Sequence, residues 1–152
     1  MAHPKILPDE LIAKSVYPAL RATIADILIR KYNYTQVEAA KKLGVTQAAI
    51  SYYLSSKRGI FKQLLQSDFI SKSIEEIAKG IVLNKINDKE LAYCLTKIAD
   101  YIIENKQLCE IHKKFESNLN IEECNLCEDR LKVNSKEYLA NLIKKIKKIE
   151  KS

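Results

Sequence analysis

Proline and glycine are scarce in this chain of 152 residues, with three of each, and all three prolines (Pro4, Pro8, Pro18) lie within the first 18 positions. From Ala19 onward nothing breaks a helix by proline chemistry. No segment alternates as a strand should, so an all-α fold is expected. Long apolar runs are missing too. None approaches the roughly 18 residues of a membrane span, and the opening Met1-Ala-His-Pro-Lys-Ile-Leu-Pro-Asp-Glu10 lacks the continuous apolar core of a secretory signal. The expected location is the cytoplasm, with no membrane partner. Histidine is limited to His3 and His112, and there is no Gly-rich phosphate loop, so hydrolytic triads and nucleotide sites have almost no material. An enzyme is not expected. In a reducing compartment the four cysteines would be core thiols, metal ligands or redox groups rather than a disulfide frame.

Present in quantity are apolar residues (47%) and charged residues (30%), the balance of a globular protein. A chain of this length can bury about 70% of its unfolded surface in one core. The net charge of +7 favours a polyanionic partner, although lysine-rich helices are also simply well solvated. Charge is unevenly placed: net +5 over residues 1–70, −3 over 71–130 and +5 over 131–152. There is no internal repeat and no Gly/Ser linker.

Asp9 can cap a short helix to Val16, and Pro18 suits the first turn of a second helix reaching Lys31. Beyond Gly59 a helical pattern runs through Leu64, Phe69, Ile74 and Ile81, broken near Ser67 and again at 84–87. Asp88 can cap the next helix, to about Asn105. The stretch 107–119 reads as helical and 120–128 as irregular. From Ser135 to Ile149 a stripe of Tyr138, Leu139, Leu142, Ile143, Ile146 and Ile149 recurs at helical spacing.

The most informative stretch is 35–59, Thr-Gln-Val-Glu-Ala-Ala-Lys-Lys-Leu-Gly-Val-Thr-Gln-Ala-Ala-Ile-Ser-Tyr-Tyr-Leu-Ser-Ser-Lys-Arg-Gly. Thr35 can cap one helix, Gly44 can end it in the left-handed conformation, and Thr46 can cap a second after a very short turn. At about 100° per residue, Ala39, Ala40 and Leu43 share one face of the first helix, opposite Glu38, Lys41 and Lys42. On the second helix Ala49, Ile50, Tyr53 and Leu54 turn inward, while Gln47, Ala48, Ser51 and Tyr52 turn outward. A purely structural hairpin would usually present Glu and Lys outward. Here the outer face is polar and uncharged. Gln can pair bidentately with adenine, Ser can donate or accept, and Ala and a Tyr ring can touch a thymine methyl, all in a major groove that admits one helix. Lys57 and Arg58 follow where phosphates would lie.

This stretch resembles the helix-turn-helix of the lambda repressor and Cro class, with Ala40, Gly44 and Ile50 at the spacing of that family's most restricted positions. The resemblance implies a lambda-repressor-like bundle in the N-terminal part, double-stranded DNA as partner, and a bracing role for Gln36 against the recognition-helix Gln47, with Thr46 at the start of that helix. The wider stretch 17–59 is similar to predicted archaeal transcriptional regulators that join this module to a cysteine-rich helical tail. It covers about a third of the chain.

In the tail, Cys109-Glu-Ile-His112 and Cys124-Asn-Leu-Cys127 are two chelate-spaced pairs. Together they could make a tetrahedral Cys3His zinc site; an iron–sulfur cluster is the alternative cofactor. Cys94, among Leu91, Leu95 and Ile98, reads as an inert buried thiol. The plain alternative makes Cys109 a core residue, His112 a surface residue and the last two cysteines incidental.

The sequence thus reads as a two-part regulator: residues 1–70 a helix-turn-helix DNA-binding domain, and 71–152 a helical region for homodimerisation and candidate metal binding. The rivals are a metal- or thiol-dependent redox protein and a protein-interaction adaptor, each using the helix-turn-helix as a packing element. Operator, regulated genes, direction of regulation and effector are not written in the sequence.

Overall fold

A computed structural model describes residues 5–55 and 60–151. Every regular element among them is helical: α1 (Pro8–Leu11), α2 (Tyr17–Tyr32), α3 (Gln36–Leu43), α4 (Gln47–Ser55), α5 (Ile60–Leu65), α6 (Asp68–Val82), α7 (Asp88–Glu104), α8 (Gln107–Phe115), α9 (Leu126–Lys132) and α10 (Ser135–Lys151). The fold is all-α, as the proline distribution predicts.

The first two helices are not separate. A π-helical turn, Ile12–Val16, joins α1 to α2 without a break. Pro18 has no N–H, and in an ordinary helix its ring would press on the carbonyl of Lys14. The wider π turn immediately ahead takes up that clash. The cap is also displaced, since Leu7 rather than Asp9 stands before the first turn, with Pro8 at its first position. Similarly, Asn87 rather than Asp88 caps α7: its side chain accepts from Glu90 N–H at 2.8 Å while Glu90 reaches back to Asn87 N–H. Helix α8 stops at Phe115, short of the expected Leu119, and part of the stretch expected to be irregular is the helix α9.

Helix α2 is the axle of the fold. Leu20, Ile24 and Leu28 are wholly buried on it, Ala22, Thr23 and Ala25 nearly so, and it packs against α3, α4, α5, α6 and α7. One cluster of buried residues runs from Leu11 to Ile111, including Ile50 of α4, Ile70 and Ile74 of α6, Ile102 of α7 and Leu108 of α8. The boundary expected near residue 70 falls at the start of α6, within this continuous core. By contrast, every residue from 131 to 151 is exposed.

Two long-range ties bring the start of the chain to its later half. Glu116, just past α8, accepts from the backbone N–H groups of Lys5 and Ile6. Arg130 of α9 pairs with Asp9 at 2.8 Å.

Candidate nucleic-acid interface

Helix α3 begins in a reciprocal cap. Thr35 Oγ1 accepts from Glu38 N–H at 3.1 Å, and Glu38 Oε2 accepts from Thr35 N–H at 2.9 Å. It ends at Gly44, whose φ of 68° lies in the left-handed region, and the Val45 N–H returns to the Ala40 carbonyl at 3.1 Å. The six-residue closure reverses the chain within two residues, as a Gly at this position allows. Thr46 Oγ1 then accepts from Ala49 N–H at 3.0 Å and starts α4.

The inner faces are buried as expected: Ala39, Ala40 and Leu43 on α3, and Ile50 on α4, with Ala49, Tyr53 and Leu54 partly buried beside it. The alanines let α3 and α4 approach α2 closely. On the outer side Gln47, Ala48 and Ser51 are exposed, and Tyr52 is 68% exposed, its ring edge-on to Tyr53 with 6.3 Å between centroids. No charged side chain interrupts this outer face of α4. Gln36 is partly buried at the start of α3, and Thr46 is exposed but has its hydroxyl oxygen engaged in the cap. Lys57 and Arg58 lie outside the described residues. Lys41 and Lys42 are exposed on α3, opposite its buried face, and Lys42 Nζ reaches Asn84 Oδ1 beyond α6 at 3.5 Å.

The cysteine region is assembled differently from its sequence spacing. Cys109, Cys124 and Cys127 line one cavity of about 190 Å³, together with Ile103, Leu108 and Ile121. All four cysteines are free thiols. Burial, then the neighbouring Cys109 and Cys124, push the Cys127 thiol up to about 11. Burial, then Cys124, raise Cys109 as well. Cys109 and Cys127 are therefore thiols, not thiolates, near neutral pH. His112 does not line this cavity. It is buried, and its Nε2 meets Glu116 Oε1 at 3.0 Å. Sequence reading missed Glu116, although a His and a Glu four apart across a helix end was a usable signal. That carboxylate is held below its usual range first by the Ile6 N–H, then by His112. Among the described residues no group of three or more His, Cys, Asp or Glu side chains is arranged to hold a metal ion. Cys94 is partly buried and packs against the core.

Residues 24–60 match the helix-turn-helix family model, from the middle of α2 through the start of α5. This is the class of module through which transcription regulators bind DNA. No curated protein and no solved structure matches the chain. No helix among the described residues is long and apolar enough to cross a membrane.

Proposed function

We propose that the protein is a site-specific double-stranded DNA-binding transcriptional regulator, acting as a homodimer with α4 in the major groove. The observation that carries this reading is the exposed, uncharged face of α4, Gln47, Ala48, Ser51 and Tyr52, on a helix whose opposite side is seated in the core. In this reading Gln47, Ser51 and Tyr52 read base edges, Ala48 touches a thymine methyl, Gln36 braces Gln47, and Lys57 and Arg58 hold phosphates. A two-fold dimer would bind an inverted repeat with half-sites about one helical turn apart.

A metal clamp of Cys109, His112, Cys124 and Cys127, with zinc or an iron–sulfur cluster, would require three thiols to lose their protons and His112 to reach a cavity that it does not line. The regulator reading does not depend on it.

The test is selection of binding sites from a random duplex pool, followed by two single variants. Gln47→Ala should cost about 1–3 kcal/mol at the selected site and flatten discrimination, while Lys57→Ala should weaken all duplexes alike and lower the salt slope by about one. Equal losses for Gln47→Ala on selected and random DNA would refute the base-reading role. Specific protein binding without any preferred duplex would favour the adaptor instead.

A further inference from the structure

Helix α10 buries none of its residues, yet it carries a stripe that water does not favour: Tyr138 is 57% exposed, Leu139 56%, Leu142 38%, Ile143 53% and Ile146 48%. These positions recur at the spacing of a coiled-coil seam. With Leu139 and Ile146 at heptad positions a, Leu142 and Ile149 fall at d, Tyr138 at g and Ile143 at e. The lysines at 144, 147, 148 and 151 all fall at b, c and f, which point away from such a seam.

We infer that α10 is a two-heptad zipper whose occupant is α10 of a second copy of this chain, parallel and in register. The inference rests on the homodimer in the function proposed above and names its surface. Charge decides the orientation. In a parallel pair, a g side chain faces the e side chain five residues on in its partner. Lys145 at g then meets Glu150 of the second copy, twice by symmetry, and Tyr138 meets Ile143, so no like charges face each other. In an antiparallel pair centred on the same four core positions, Glu150 meets Lys136, but Lys145 meets Lys145. The parallel arrangement alone leaves no repulsion across the seam. Either pairing has a two-fold axis that relates the two copies of α4, as an inverted repeat requires, so the charge pattern alone sets the orientation.

Six side chains from each copy bury on the order of 1,000 Å² in total, the low end for a specific interface, so the dimer should be of micromolar strength and reinforced on DNA. A zipper of two heptads is short for a free-standing coiled coil. Two half-sites held on one duplex supply the missing proximity.

Sedimentation equilibrium of the full chain from about 1 to 100 µM, without DNA, tests this. The expected result is a monomer–dimer equilibrium. Leu142→Asp with Ile146→Asp should raise its dissociation constant about a hundredfold or more. Both side chains are exposed in the monomer, so the circular dichroism spectrum should not change. Lys145→Ala decides the register: the parallel pair loses two attractions and weakens about threefold to fivefold at low salt, whereas the antiparallel pair loses its repulsion and tightens. A chain that stays monomeric to about 100 µM, both alone and on an inverted repeat, overturns the inference. So does a double variant that dimerises as well as the parent, a monomer whose α10 instead binds anionic lipid vesicles, or a Lys145→Ala variant that tightens. Failure of the DNA reading looks different. The dimer would persist in the centrifuge while no duplex sequence is preferred.

Discussion

Ile50 and Ser51 are neighbours on α4 and should fail in opposite ways. Ile50 is fully buried, in a helix held by α2 and α3. Truncation to alanine removes three carbons, worth about 0.8 kcal/mol each in transfer, or roughly 2.4 kcal/mol. Incomplete collapse of the space left behind adds to this, for a total of about 3 kcal/mol. For a chain of this size that is a fall of about 6–12 °C in Tm. Ser51→Ala removes only an exposed hydroxyl and should leave stability within about 0.5 kcal/mol of the parent. Urea denaturation of both variants, followed by circular dichroism, measures the contrast. DNA binding should show the reverse: Ile50→Ala should retain its site preference at temperatures where it remains folded, and Ser51→Ala should lose part of it. If Ile50→Ala costs less than about 1 kcal/mol, or Ser51→Ala as much as Ile50→Ala, then α4 is not seated with the face described and the reasoning fails.

Two further outcomes follow from single positions. Gly44→Ala places a side chain at φ 68°, where its Cβ meets nothing within 4 Å, so the cost is backbone strain alone, about 1–2 kcal/mol in the same urea assay; a neutral substitution would show that the turn does not need its left-handed residue. At Cys127 the folded thiol, pushed up to about 11 by burial and its neighbouring thiols, should react with iodoacetamide at pH 8 on the order of a hundredfold more slowly than in urea, as mass-spectrometric peptide mapping would read. Because its protonated form is favoured by folding, the stability it contributes is full below the unfolded thiol range and is lost as pH rises through about 11. Equal rates in the folded and denatured chain would refute the shift. Zinc that protects Cys109, Cys124 and Cys127 together in this assay, reversibly by chelator, would identify them as ligands; His112→Ala would then show whether the histidine belongs to the set.

Local rules made the helix-turn-helix legible. The faces of α3 and α4 follow from helical rotation of apolar residues, and Thr35, Gly44 and Thr46 do in the structure what their side chains and backbone freedom suggest. Where two adjacent residues compete for a local role, the sequence was ambiguous. Asn87 and Asp88 can both cap, and the structure uses Asn87 because it stands three before Glu90 and completes the reciprocal pair. Pro18 was readable as a helix start because proline chemistry is local. Its place inside a continuous helix depends on the π turn before it, which no pattern of residue types marks. The tail was least legible because its contacts span the chain. Cys109 and His112 share chelate spacing, but His112 is drawn to Glu116, a carboxylate that also holds the backbone of residues 5 and 6, more than a hundred positions away.

The central place of α2 means that the recognition motif is not a portable cassette. The matched segment 24–60 begins halfway along α2, leaving out the wholly buried Leu20, and ends before α6 supplies Ile70 and Ile74. Cut out at those limits, α4 would keep its own residues yet lose part of the wall against which its supporting helix is set. The stretch that carries the family pattern and the unit that can be inherited, fused or expressed intact are therefore different lengths of chain. Any graft of this helix-turn-helix must carry the helices on the far side of α2 along with it.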